Sequence, residues 1–463
     1  MAAATLTFLG AAGTVTGSKF LLSLDGRLIL VDAGLFQGER VWRRRNWDPP
    51  LIDPSRISDI LLTHAHMDHV GYLPVLVRDG FRGTIRATAG TAALTEIVLR
   101  DAGYLQERDA EHAREHRYSK HDPPLPLYTV HDAERAIGQL RAVTYDTDVD
   151  LGGGVTARWT GAGHILGSAS VRVSGAGTAV LFSGDLGPDA HPLLRPRQTP
   201  PGAPYVVVES TYGSREDDPG DARHEVFARA IADTLRGGGQ VLIPAFAVDR
   251  TEVVLTTIAR LQDIGTIPTV PIYVNSPMAL AALRVYRSDR FREELRADLD
   301  IGHVLDLPNL HETPTADQSR ALMGLRGPAI IISSSGMATG GRVLHHLERM
   351  LPDPRNTVIL TGFQAAGTRG RALQEGAREL KLHGRYVRVR ARILVDEAFS
   401  VHAHATELVG WLAGLDPAPE TVFVVHGEDD GRRALHDRIG DELGWTAALP
   451  TYRGVVSVDP PED

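Results

Sequence analysis

Thr63-His64-Ala65-His66-Met67-Asp68-His69 follows directly on the apolar run Ile57–Leu62. Four side chains able to ligate a metal stand within six residues, at the end of an expected strand. His64 and His66 are two apart, so in extended chain they project to the same side. Asp68 and His69 come where the chain would turn into a loop or a helix start. One cluster can then serve two adjacent metal ions. The plain alternative is a solvated polar loop that happens to be rich in histidine.

Outward from that cluster, short β-rich runs alternate with turns. Thr5–Leu9, Lys19–Leu24 and Arg27–Val31 read as strands, the last two joined by Asp25-Gly26, a hairpin dipeptide. Val155–Trp159, Ser170–Val173, Ala179–Phe182 and Tyr205–Val208 continue the pattern. The polar, charged stretch Gly213–Gly220 reads as a boundary loop. Beyond it helical stretches (His224–Leu235, Thr251–Leu261) alternate with short apolar strands (Val241–Ile243, Ile272–Val274, Ala329–Ile332, Val358–Leu360). That alternation predicts a parallel sheet covered by helices. From about Gly384 the β-rich texture returns, with Tyr386–Val389 and Arg392–Val395. The simplest organisation is one α/β domain interrupted by another. The host takes residues 1–210 and 384–463, the insert residues 211–383. The tail Pro460–Asp463 is expected to fray.

Composition narrows the function. The chain has 463 residues, 43% of them apolar, enough for a large core. No apolar run approaches the ~20 residues of a membrane span. Met1–Gly10 has no basic n-region and reads as a first strand. There are no cysteines, so disulfides are excluded and a metal site must use His, Asp or Glu. This fits a cytoplasmic protein. The net charge of −9 argues against a general nucleic-acid coat protein, but not against an enzyme with a locally positive cleft.

The H-x-H-x-D-H pattern after an apolar strand resembles the signature of the metallo-β-lactamase superfamily. The remaining superfamily motifs follow in order: Val31-Asp32-Ala33-Gly34, then Gly161–Gly167 with His164, then Phe182-Ser183-Gly184-Asp185. Past Asp185 the resemblance narrows to the β-CASP RNA nucleases. Val208-Glu209-Ser210-Thr211 is similar to their motif A, Ser400-Val401-His402-Ala403-His404 to motif B, and Val425-His426-Gly427-Glu428 to motif C. His404 stands where many relatives carry Asp.

The resemblance implies an αββα metallo-β-lactamase sandwich with an inserted α/β β-CASP domain. It implies two zinc ions per chain. His64, His66 and His164 would hold one, and Asp68, His69 and His426 the other, with Asp185 bridging. Imidazole and carboxylate suit zinc independently of the family, although manganese is not excluded by the donor set. The implied activity is a ribonuclease, endonuclease or 5′–3′ exonuclease or both, acting on single-stranded RNA. Hydroxide activated between the two metals would attack phosphorus, with Asp68 in the catalytic set. His402 would be the general acid and Glu209 its orienting carboxylate. Asp32 would steady a ligand from behind. The alternatives are a small-molecule hydrolase on the same host fold and a non-catalytic RNA-binding scaffold. The sequence leaves a homodimer open and gives no sign of a membrane partner.

Phosphate contacts are expected in the insert. Ser333, Ser334, Ser335 and Gly336 form a Ser-rich turn after an apolar strand. Ser276 and Arg250 each stand at a strand-to-helix junction. For each, the plain alternative is an ordinary turn with a capping residue. Val41–Trp47 carries three consecutive arginines between two tryptophans, a stretch suited either to nucleic acid or to salt bridges. His112-Ala113-Arg114-Glu115-His116 matches the inverted zincin pattern, but the surrounding charges of both signs read as a solvated helix.

Overall fold

The computed structural model describes residues 4–116, 122–216 and 224–460. The rest of the Gly213–Gly220 loop, the end of the charged stretch after His116 and the tail after Pro460 lie outside these residues. The chain divides into two compact units, residues 1–217 with 401–463, and residues 218–400.

The first unit carries two seven-stranded sheets. One runs, in spatial order, Val455–Ser457, Thr5–Phe8, Phe20–Leu24, Arg27–Val31, Asp59–Leu61, Thr84–Thr88 and Leu140–Val143. The other runs Thr446–Ala448, Thr421–Val424, Tyr205–Val208, Thr178–Phe182, Ala169–Gly175, Val155–Gly161 and Val149–Gly152. Alternating apolar side chains from both inner faces, among them Leu6, Phe8, Leu22, Val171 and Phe182, meet in one core. Leu408, Trp411, Leu412, Leu435 and Ile439, from helices Ala405–Ala413 and Asp429–Arg438 and the turn after them, pack against the second sheet. The Asp25-Gly26 turn has φ of 48° and 77°, the conformation a two-residue hairpin needs. Trp159 is fully buried, and its indole N–H donates to the Leu62 carbonyl at 3.0 Å. The core thereby grips the chain two residues before His64, where the histidine cluster begins.

The second unit is built on one six-stranded sheet in the order Leu310–Glu312, Ile272–Val274, Ala329–Ser333, Gln240–Pro244, Thr357–Thr361, Arg392–Asp396. All its neighbours are parallel. Its central strands are buried along their whole length, as a sheet covered on both faces requires.

The return to the host differs from the sequence expectation. Arg392–Asp396 pairs with Thr357–Thr361 and closes the insert's sheet, so the host resumes at Val401 rather than near Gly384. The β-rich texture after Gly384 comes from this edge strand and from the hairpin Glu379–Leu382/Arg385–Arg388. Texture shows that a strand is present but not which sheet it joins. Among the described residues, no helix is long and apolar enough to cross a membrane.

Candidate metal centre

The strand Asp59–Leu61 ends against the carboxylate of Asp32, which sits at φ +58° after the neighbouring strand. Asp32 accepts from the Thr63 N–H and from the Thr63 hydroxyl, each at 2.8 Å. It also accepts from His69 Nδ1 at 2.8 Å. That last bond leaves His69 Nε2 with its lone pair. The Thr63 hydroxyl, having given its proton to Asp32, can only accept from His64 Nδ1 at 3.1 Å, which frees His64 Nε2 in the same way. His164 Nδ1 donates to the Val401 carbonyl at 2.7 Å, and Thr211 Oγ1, which donates to the His426 carbonyl, stands 3.1 Å from His426 Nδ1. Four imidazoles are thus held by one nitrogen and present the other.

The presented atoms converge in two groups. His64 Nε2 and His164 Nε2 lie 3.1 and 3.2 Å from His66 Nδ1, and 3.4 and 3.6 Å from Asp185 Oδ2. His69 Nε2 lies 3.2 Å from His426 Nε2 and 3.4 Å from Asp185 Oδ1, and Asp68 Oδ2 lies 3.4 Å from His426 Nε2. Zinc bonds to nitrogen and carboxylate oxygen run about 2.0–2.2 Å, so the edges of its tetrahedron are about 3.3–3.6 Å. The donor spacings of 3.1–3.6 Å lie at those edges or just inside them. Asp185 Oδ1 is buried without a hydrogen-bond partner, as an oxygen meant for a cation would be. Burial holds His64 and His164 well below the ordinary imidazole range and pushes His66 down to about 4, so all three keep lone pairs at neutral pH. Burial also works against charge on His69 and His426, but Asp185 with Asp32 holds His69 well above the usual value, and Asp185 with Asp68 raises His426, so a metal binding to this second group would displace protons from these rings. The residues therefore fit a pair of divalent transition metals.

Beside the first group stands His402, its ring 4.5 Å from that of His164. Its Nδ1 is 3.1 and 3.2 Å from the two oxygens of Glu209, which is buried. Glu209 lies within reach of Asp185 and His426 as well. Its oxygens are engaged, however, accepting from the Leu186 and Thr211 amides at 2.7 and 3.2 Å. We read it as the partner of His402 rather than a ligand.

His404 is drawn into framework. Its amide donates to Glu407 at 2.9 Å, and Glu407 also accepts from the Asp189 amide at 2.7 Å. Burial opposes charge on Glu407, yet these bonds bring its carboxyl down to about 2.

Several supporting residues were not singled out in the sequence. Ser168 receives the His164 amide at 2.9 Å. Lys19 is buried, its amine lowered to about 7 by that burial, and Nζ donates to the Gly34 carbonyl at 2.8 Å. Gly34 admits no side chain, since a Cβ would fall 1.5 Å from the Asp68 carbonyl oxygen. Of these, only Gly34 lay inside a recognised motif.

The other candidates are dispersed. Ser276 caps the helix Pro277–Tyr286, accepting from the Ala279 amide. Ser333 donates to the Asn275 carbonyl at 3.0 Å, and Arg250 is buried against the Thr361 carbonyl. Ser335 binds Thr339, and Gly336 packs where a Cβ would strike Phe246 at 2.8 Å. Ser334 Oγ is buried without a hydrogen-bond partner, so within this turn it alone keeps a hydroxyl to offer. His112, on the helix Ala89–Glu115, and His116, which caps the end of that helix, lie with ring centres 4.0 Å apart, and no third donor gathers with them among the described residues. His345, Glu348 and His383 form a further trio on the surface of the insert.

Comparison with known proteins agrees with this geometry. Residues 13–225 match the metallo-β-lactamase superfamily, residues 252–373 the Beta-Casp domain, and residues 386–450 the Zn-dependent metallo-hydrolase RNA specificity domain. A ribonuclease of Thermus thermophilus is 38% identical over 429 residues, 92% of this chain and 94% of that protein. A transcription termination factor FttA of Pyrococcus abyssi is 31% identical over 469 residues, 96% of this chain and 70% of that protein. The crystal structure of a protein of unknown function from Enterococcus faecalis shares the fold, with a TM-score of 0.56 at 12% identity, covering 98% of this chain and 100% of that one. The chain belongs to the β-CASP RNA nuclease family of the metallo-β-lactamase superfamily.

Proposed function

We propose that this protein is a zinc-dependent ribonuclease that hydrolyses phosphodiester bonds of single-stranded RNA. The observation that carries the reading is the pairing of two convergent donor groups with a carboxylate-held histidine beside them. His64, His66, His164 and Asp185 would hold one zinc, and Asp68, His69, His426 and Asp185 the other. When bound, the metals supply Lewis acidity, giving hydroxide at neutral pH and neutralising charge on the phosphoryl oxygens.

The chain's own residues do the rest. Asp32, Thr63, Thr211 and the Val401 carbonyl fix the imidazole tautomers, so the donors meet their ions without reorganising. Glu209 holds His402 Nδ1, which supports a proton at Nε2 for transfer to the leaving oxygen. An alkoxide leaves poorly from phosphorus, so a proton held there is worth most as that bond breaks.

The test is cleavage of end-labelled single-stranded RNA and DNA by protein of measured zinc content. His402→Ala and Asp68→Asn run alongside. RNA cleavage with about two zincs per chain, lost in both variants, supports the mechanism. Bound zinc without cleavage of either polymer would point to a small-molecule hydrolase. Absence of both metal and activity would leave an RNA-binding scaffold.

A further inference from the structure

The segment that leaves the Asp32 loop is built in two faces. Arg40–Arg44 forms a short helix that runs into a turn over Arg45–Trp47. Its inner face is fixed. Asn46 is buried and both accepts from the Phe36 amide and donates to the Phe36 carbonyl, at 2.9 and 2.8 Å. The Arg45 guanidinium lies 3.8 Å over the Tyr452 ring and 4.3 Å over Trp42.

The outer face is different. Arg40, Arg43, Arg44 and Trp47 follow the i, i+3, i+4, i+7 spacing of one helical stripe, and all four are exposed. Trp47 leaves 61% of its surface in water. Arg40, Arg43 and Arg44 make no ion pair and no side-chain hydrogen bond among the described residues. The flanking acids Glu39 and Asp48 are exposed and pair with none of the three. Arg453, exposed beside Tyr452 at 5.1 Å, adds a further cation.

Such a face costs stability. Like charges one turn apart destabilise a helix, and a large indole in water forfeits its burial. Among the described residues no ion pair offsets the first cost. The cluster also stands out in a chain of net charge −9. Guanidiniums that are free on one side suit phosphates, and an exposed indole on a rigid base suits the π-face of a base. An acidic peptide would use the arginines but has no need of the indole.

We infer that Arg40, Arg43, Arg44 and Trp47, none of which belongs to the donor groups of the metal centre, form a holding surface for single-stranded RNA. This rests on the ribonuclease reading above. The surface would grip strand beyond the scissile bond, so it would matter for polymers and not for minimal substrates.

The test measures binding of labelled poly(A) across a salt series, in the His402→Ala background so that the strand survives. Replacing Arg40, Arg43 and Arg44 together by Gln should weaken binding about tenfold at low salt. It should also flatten the slope of log affinity against log salt by about 2, or about 0.7 per lost phosphate contact. Trp47→Ala should weaken binding about tenfold with the slope unchanged, and Trp47→Phe should recover most of the loss. With His402 intact, the triple variant should hydrolyse bis-p-nitrophenyl phosphate at the wild-type rate, which controls for folding. Unchanged affinity and slope, in a protein whose wild type binds and cleaves RNA, would overturn the inference alone. A wild type that neither binds nor cleaves RNA would instead sink the ribonuclease reading, and this one with it. A triple variant that keeps RNA but loses anionic phosphatidylglycerol vesicles would reassign the surface to a membrane and overturn the inference.

Discussion

In the host unit buried histidines face one another; in the insert a buried histidine faces an amide. His64, His66 and His164 bring ring nitrogens to within 3.2 Å of a neighbour, a contact that one shared proton cannot satisfy three ways. In the insert, His346 is also buried, and burial lowers its pKa to about 3. Its Nε2 accepts from Asn275 Nδ2 at 2.7 Å, and Asn275 in turn accepts from Arg342 at 2.8 Å. Both groups sit at strand ends, where α/β folds place their chemistry. In the host the polar atoms are left over for something outside the chain. In the insert His346 Nε2 is consumed by Asn275, and its Nδ1 is buried with no hydrogen-bond partner but also with no group of donors converging on it among the described residues. A buried histidine thus indicates a site when its ring nitrogen converges with other donors, not when it is merely unpaired.

The largest effect should come from breaking the convergence in the host. Asp185→Asn removes the carboxylate common to both donor groups. RNA cleavage should fall by about a thousandfold or more, with metal content by mass spectrometry falling alongside. His402→Ala should lower kcat about a hundredfold or more while metal content stays at the wild-type level. Metal lost with His402 would show that this histidine is a ligand, merging two roles that the geometry separates. Asp32→Asn should weaken metal affinity about 10–100-fold, read by competition with a chelator, while protein saturated with metal cleaves nearly as wild type does.

The insert offers smaller and different responses. Glu252 is buried and neither of its oxygens has a hydrogen-bond partner; burial, then neighbouring Asp249, holds its carboxyl well above the usual range. Such a group is protonated in the fold and ionised in the unfolded chain at neutral pH. Its contribution is complete below the unfolded pKa, about 4.3, and is lost as pH rises toward the folded value. Glu252→Gln keeps the shape without the titration. Its gain in Tm over wild type should therefore grow from about pH 5 to about pH 8. An equal difference at both pH values would mean that Glu252 is ionised in the fold. Ser276→Ala should cost about 1 kcal/mol of stability, as loss of a helix cap does, and leave the rate on minimal substrates unchanged. A drop in RNA affinity beyond that would restore Ser276 as a phosphate contact and weaken the contrast between the units.

What could be read from the sequence follows from how local each signal is. The cluster from His64 to His69 is short and stands at a strand end, so its spacing carries its geometry. His164, Asp185 and His426 each resemble ordinary turn residues and were found by their order along the chain. The atoms that tune them were invisible, because their partners are remote. Trp159 reaches Leu62 across 97 positions, His426 meets Thr211 across 215, and His164 meets Val401 across 237. The insert's βα alternation was legible, since buried parallel strands are apolar throughout. Its last strand was not, because Arg392–Asp396 is exposed or half-buried along most of its length and its composition does not name its partner.

The order of the proposed ligands along the chain has a consequence for synthesis. His64, His66, His164 and Asp185 are made before the insert; His402 and His426 are made after it. A ribosome that has completed the insert has released one donor group and neither the proposed acid nor the last ligand. The strand Thr421–Val424, which pairs with Tyr205–Val208 and delivers His426, is made only after the insert. While the insert is being made, the growing chain thus lacks part of its proposed centre, which is complete only once His426 has joined its sheet.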